Sequence, residues 1–353
     1  MTQDDFANDT NSPDSKKTPN PGKLPNRRKF LGSVAVGAGL AGLAAASAEE
    51  TQLSAKLAAD KKAKVDAVSA ASKKFNWTTL KQRKGKSPKA KIGDVLLSRI
   101  IMGGNLIGGW AHARDLIYVS KLVKAYHTRE KIFETFRLGE ACGVNAIIIN
   151  PVMFDIMKDY AKNGGGKKMQ YISDCGAGEL MTTIKKSIDA GSCSCYIQGG
   201  IADSMVRSGQ FDRIAQAMDL IRKAGIPAGI GGHKLATIKA CVDKGIKPDY
   251  WMKTLHQTNY WSAKPAQQHD NIWCEKPKET VEYMEKLPEP WIAFKVLAAG
   301  AIHPKNAFKY AFESGADFIC VGMYDFQVVE DVNLVVDIFK DKKLPKRRRA
   351  WHG

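Results

Sequence analysis

The chain is 353 residues long and basic, with 54 Lys and Arg against 36 Asp and Glu and a formal charge of +18. The excess sits largely in the two flanks with no nucleic-acid-binding motif beside it. The composition therefore excludes nucleic acid and favours polyanions, anionic envelope surfaces or acidic substrates. The seven cysteines contain no C-x-x-C pair, and Cys193-x-Cys195 has no matching pair elsewhere; this excludes a cysteine-built zinc site and leaves small buried hydrophobes.

In chain order, a polar, Pro-rich stretch leads to Asn26-Arg27-Arg28-Lys29-Phe30-Leu31. An uncharged Gly/Ala-rich run follows from Gly32 to Ala46, and Ala46-Ser47-Ala48 makes a small-residue cleavage site. This is similar to a twin-arginine export signal, and the run is too short and too rich in Gly and Ala to hold a membrane by itself. The resemblance implies residues 1–48 as a signal peptide read by the Tat export machinery, and a periplasmic or cell-envelope location. Six Lys and Arg against four Asp in that segment leave +16 on the mature chain. Residues 49–92 are Lys-rich and nearly free of large apolar side chains until Phe75, Trp77 and Leu80. They are expected to form a solvated linker or loose helix, then a short hairpin over the bottom of the following domain.

Between about residues 93 and 340, eight apolar runs appear: Arg99–Gly104, Val144–Pro151, Met169–Gly178, Ser192–Gly200, Ile226–Lys234, Pro248–His256, Pro290–Gly300 and Ala316–Asp325. Most are followed by a helical pattern that closes on Gly. Eight such alternations predict an α/β domain of the (β/α)8 TIM-barrel type, followed by a basic tail over residues 341–353. Such barrels place their chemistry at the C-terminal ends of the strands.

Three stretches together resemble the aldo/keto reductases. They are Ser98-Arg99-Ile100-Ile101-Met102-Gly103-Gly104, Ile230-Gly231-Gly232-His233, and Phe294-Lys295-Val296-Leu297-Ala298-Ala299-Gly300 with Val321-Gly322-Met323 and a helix start at Glu330-Asp331-Val332. The resemblance implies the barrel, a nicotinamide cofactor, NAD(P), and carbonyl reduction by an Asp, Tyr, Lys and His from strands two to four. This sequence departs from that pattern. Strand two ends in Asn150-Pro151 without Asp, with Phe154 where Tyr would be sought. Strand three ends in Ser173-Asp174 where Lys is expected, and strand four has Gln198 in the place of His. Carbonyl reduction needs a proton donor beside the developing alkoxide. A carboxylate at Asp325 would also repel a nucleotide 2′-phosphate.

The polar residues at the strand ends make a different constellation. Asp174, His233, His256, Lys253 and Lys295 are the candidate catalytic groups. Asp174, His233 and His256 could instead hold a divalent metal (Zn, Mn or Fe), or the histidines could be hydrogen-bonded rim residues. Lys253 and Lys295 could form a Schiff base, act as a general base or clamp an anion. A Lys inside an apolar strand needs a partner for its charge, which singles out Lys295. Asn105, Trp110, Asn150, Gln198, Tyr260, Trp261 and Asp325 are candidate substrate-binding residues, the aromatic and amide side chains suiting a sugar-like molecule. Three functions stay open: an exported lyase, epimerase or isomerase on a small sugar-like or hydroxy-carbonyl substrate; a nicotinamide oxidoreductase with a displaced proton donor; and a non-catalytic barrel binding a carbohydrate or a partner.

Overall fold

Runs such as Ala146-Ile147-Ile148-Ile149 are apolar at every position, as a parallel strand covered on both faces must be. The computed structural model describes residues 77–113, 116–163, 169–176, 178–260, 262–263, 273–341 and 347–353; the expected signal peptide, most of the linker and Trp261 lie outside them. A hairpin comes first, β1 (Lys89–Ile92) and β2 (Val95–Ser98). Eight parallel strands follow: β3 (Ile100–Gly103), β4 (Ala146–Ile149), β5 (Gln170–Ser173), β6 (Ser194–Ile197), β7 (Ala228–Gly232), β8 (Tyr250–Thr254), β9 (Trp291–Phe294) and β10 (Phe318–Val321). They close in chain order, β10 returning to β3 with Cys320 opposite Ile101. The expected (β/α)8 barrel is the observed fold.

Because strand side chains alternate, each strand feeds two cores. Ile101, Ala146, Ile148, Ile172, Tyr196, Tyr250, Met252, Ile292 and Phe318 fill the barrel interior. Their neighbours Ile100, Met102, Ile147, Ile149, Ile197, Trp251 and Trp291 pack outward against the helices. Gly229 leaves the space that the Tyr250 ring occupies; a Cβ there would lie 2.4 Å from the ring. Each fully buried large side chain contributes about 1.5–3 kcal/mol. The helices start where capping chemistry allows: Thr128 accepts from Lys131 N at the start of Arg129–Ala141, and Glu179 from Met181 N and Thr182 N at the start of Leu180–Asp189. That second helix closes on Gly191, whose φ of +87° suits glycine. Five of the seven cysteines are buried and all are free thiols. Among the described residues no helix is long and apolar enough to cross a membrane.

The hairpin sends Ala90, Ile92 and Leu97 into the interior core, so it plugs the bottom of the barrel. It straddles residue 92, where the extension was expected to end. The C-terminal segment departs further from expectation. Arg347 and Arg349 are not a surface arm but converge on Asp317 at the foot of β10, which is wholly buried. Asp317 Oδ1 accepts from Arg347 Nη2 at 2.6 Å and from His352 N at 2.9 Å. Its Oδ2 accepts from Arg349 Nη2 at 3.1 Å and from Trp291 N at 3.0 Å. The Trp351 ring lies 3.6 Å from the Arg347 guanidinium and 4.1 Å from that of Arg99. A carboxylate without solvent is stable only with such paired donors. These two charges close the barrel base and are not available to an anionic surface.

Candidate active site at the barrel mouth

The tips of β6 and β7 run so close that a Cβ on Gly231 would sit 2.7 Å from Gly199 N. Gly199 in turn leaves room for an imidazole, since a Cβ there would lie 3.1 Å from His233 Cε1. His233, just past β7, faces Asp203 in the helix Gly199–Arg207. Asp203 Oδ2 lies 3.0 Å from His233 Nδ1 and accepts from His233 N at 3.1 Å. Asp203 Oδ1 accepts from Thr237 Oγ1 at 2.5 Å and from Lys234 N at 3.4 Å. Burial would raise this carboxyl, but the hydrogen bonds from His233 and Thr237 outweigh it and hold Asp203 below its ordinary value. An ionised Asp203 accepts a hydrogen bond from Nδ1–H, which keeps the neutral ring's proton on Nδ1 and leaves Nε2 of His233 as an acceptor.

Lys295 follows β9 and has a positive φ of 56°; Ala298 and Ala299 in the same turn share that conformation, at 46° and 53°. Non-glycine residues there cost roughly 1–3 kcal/mol each and concentrate at functional sites. The Lys295 ammonium lies 4.0 Å from the centre of the Trp273 ring. His233 lies 5.1 Å from the same ring and His112 5.8 Å, while Phe294 flanks His233 at 5.4 Å. Burial lowers Lys295 to about 8. Among the described residues no carboxylate pairs with it.

Lys253 and His256 hold this group in place from behind. Lys253, 1% exposed, donates to His233 O at 2.7 Å, to Thr254 O at 3.0 Å and to Thr254 Oγ1 at 2.6 Å. Its three protons are committed, so it positions His233 and is not poised as a Schiff-base nucleophile. Burial lowers it to about 8. His256 Nδ1 lies 2.9 Å from Gln257 O, and its Nε2 accepts from Trp273 N and Cys274 N, both at 3.0 Å. It anchors the Trp273 backbone.

The expected metal triad is therefore not assembled. His256 has both ring nitrogens engaged, His233 is turned to Asp203 through Nδ1, and Asp174 Oδ1 accepts from Asn150 Nδ2 at 3.0 Å and from Gly176 N at 3.2 Å. Among the described residues no group of three His, Cys, Asp or Glu is placed to hold a metal ion. Asp174 itself is buried, which pushes its carboxyl up to about 6.

The expected binding residues divide. Asn150 orients Asp174. Gln198 Oε1 caps its helix, accepting from Gly200 N at 2.7 Å and Ile201 N at 3.1 Å. Asn105 and Trp110 share an exposed turn closed by Trp110 N to Asn105 O at 2.8 Å, with the indole over Gly108. Tyr260 lines a separate cavity of about 420 Å³ between the loop after β8 and the helix Pro304–Glu313. Asp325 does not face the mouth as a free carboxylate. It begins the last helix, Asp325–Lys340, where Tyr126 Oη donates to it at 2.5 Å and Lys131 Nζ at 2.9 Å. It fastens that helix to the segment holding Tyr126 and Lys131, and those bonds hold its carboxyl below its ordinary value against the opposing effect of burial.

Asp203, His112 and Trp273 are the mouth residues that strand tips alone do not reveal. Asp203 is in the body of a helix; its one sequence signal is an acid between buried Ala202 and Met205.

No family model matches the chain, and neither does any curated protein. Among solved structures it is similar to a Pseudomonas aeruginosa protein described as an aldo-keto reductase, at 13% identity and a TM-score of 0.50, over 73% of this chain and 98% of that one. A second protein so described from that organism gives 15% and 0.49 over 71% and 95%. A truncated 3-deoxy-D-arabino-heptulosonate 7-phosphate synthase from Thermotoga maritima gives 14% and 0.41 over 72% and 92%. At these identities the likeness is one of fold: the chain is a closed, eight-stranded parallel barrel with alternating helices.

Proposed function

We propose that the chain is an acid–base enzyme of the lyase, epimerase or isomerase type, acting on a small hydroxy-carbonyl substrate at the barrel mouth. The observation that carries this reading is the Asp203–His233 pair, which shares the Trp273 ring with Lys295. His233 Nε2 would take the proton from the carbon beside the carbonyl. The electron pair released from that C–H bond would move to the carbonyl oxygen, where the Lys295 ammonium would stabilise the enolate. Return of the proton to the same carbon on the other face gives an epimer; its delivery to the former carbonyl carbon, with the α-hydroxyl proton passing to the former carbonyl oxygen, gives an isomer; expulsion of a β-hydroxyl as water, carrying the proton held by His233, gives a lyase product.

The strand ends support this chemistry over nicotinamide reduction, since Asn150, Asp174 and Gln198 stand where that activity would need other groups. The test is proton exchange: incubation in D2O with a panel of three- to six-carbon hydroxy-aldehydes and ketones, read by proton NMR. Loss of an α-proton signal that requires both His233 and Lys295 supports the reading. NADPH-dependent aldehyde reduction that survives His233→Ala and Lys295→Ala would overturn it.

The Arg27-Arg28 motif and the small-residue run after it support export to the periplasm. Replacement of both arginines by lysine should leave the protein in the cytoplasmic fraction; unchanged periplasmic recovery would refute that route.

A further inference from the structure

We propose that the mouth binds an anionic oxygen-bearing group of the substrate, a carboxylate or a phosphate, between Lys295 and His112 over the Trp273 indole. The inference rests on the barrel mouth being the active centre, and it names the class of molecule that centre accepts.

The geometry gathers one ammonium and two imidazoles around one ring: Lys295 at 4.0 Å, His233 at 5.1 Å and His112 at 5.8 Å from Trp273. The carboxylate nearest them in the hydrogen-bond pattern, Asp203, is already filled by His233, Lys234 and Thr237. Asp174 is held by Asn150 and Gly176. Lys295 and His112 thus share a corner with no acid of their own among the described residues. Burial first, then the charges of Lys295 and His233, disfavour protonation of His112. The Lys295 ammonium, without a carboxylate of its own among the described residues and beside a low-dielectric wall, is a receptor for the opposite charge, and neutral His112 can add a ring N–H donor. The indole adds an apolar wall that strengthens any ion pair formed against it.

The test uses the full mature chain and two probes, inorganic phosphate and acetate, followed by calorimetry at low ionic strength. Binding of either above the level of chloride is expected, weakened about tenfold by Lys295→Met, the effect of one charge-assisted hydrogen bond, and less by His112→Gln. Phosphate alone assigns a phosphoryl group, acetate alone a carboxylate. In the unaltered protein the same probe should slow reductive methylation of Lys295 relative to exposed Lys309, read by mass spectrometry, so a poorly folding variant cannot obscure the answer. No binding above chloride together with no protection overturns the inference. Anion binding without proton exchange would leave this inference standing and remove the proposed chemistry; exchange without anion binding would do the reverse.

Discussion

Asp203 Oδ2 lies 3.0 Å from His233 Nδ1, a pairing made across 30 residues from the body of one helix to the end of the next strand. That one bond decides which imidazole nitrogen carries the proton and so which can accept one. Asp203→Asn keeps the shape but can offer an N–H where the acceptor stood. Activity is expected to fall by about 10²–10⁴-fold, the range of a general base, with little change in KM and no loss of fold by circular dichroism. A rise in KM with kcat unchanged would show that Asp203 only shapes the pocket.

Lys295 opposes stability at neutral pH. Its value in the folded protein, about 8, is below the 10.5 of an exposed lysine, so the folded chain holds fewer protons than the unfolded chain between those values. The penalty is therefore full below pH 8 and is relieved as pH rises through it. Lys295→Met should raise the Tm at pH 7 by about 2–4 °C, of order 1 kcal/mol for a domain of this size, while abolishing activity. The gain should shrink between pH 8 and 10, which thermal melts across that range would show.

The opposite sign applies to Asp174. Burial raises it from 3.8 to about 6, so its favourable contribution is complete below 3.8 and lost as pH climbs through 6. Asp174→Asn, with its carbonyl kept toward Asn150 and Gly176, should be more stable than the parent at pH 7 and equal to it near pH 4. A melt at both pH values checks this; equal destabilisation at both would mean the carboxylate makes a bond that Asn cannot.

At the base, Asp317→Asn leaves Arg347 and Arg349 buried without a counter-charge. Removing one partner of such a network costs about 3–5 kcal/mol, visible as a fall in the denaturant midpoint. Arg348→Ala, which breaks only the partly exposed pair with Glu285, should cost about 1 kcal/mol or less. Similar losses in the two variants would refute the view of the C-terminal segment as a buried lock.

Chain-local patterns made the barrel legible. Ala146–Ile149 is apolar along its length, Tyr250–Met252 opens its strand with three apolar residues, and helices end on glycines such as Gly191, so the number of strands follows from chain-local pattern. Lys295 was also marked by its sequence setting, because a lysine in an apolar run must find a special environment. His256 and Lys253 carry the same sequence signal, yet both bind backbone: Lys253, within β8, turns its ammonium onto His233 O, and His256, two residues past that strand, takes Trp273 N, a choice of rotamer that the spacing does not fix. Asp325 was drawn to Tyr126 and Lys131, nearly 200 residues away, and the basic tail to Asp317.

The amino-acid order by itself determined the ring of eight strands, the face each side chain would take and the rim where chemistry belongs, because these depend on periods of two and on helix-ending signals a few residues long. Which rim residues meet was decided only in three dimensions. Asp203 reaches His233, and Trp273 brings Lys295 beside His112, through contacts between units that close the barrel in space. Such pairings depend on register and rotamer, and no spacing along the chain encodes them.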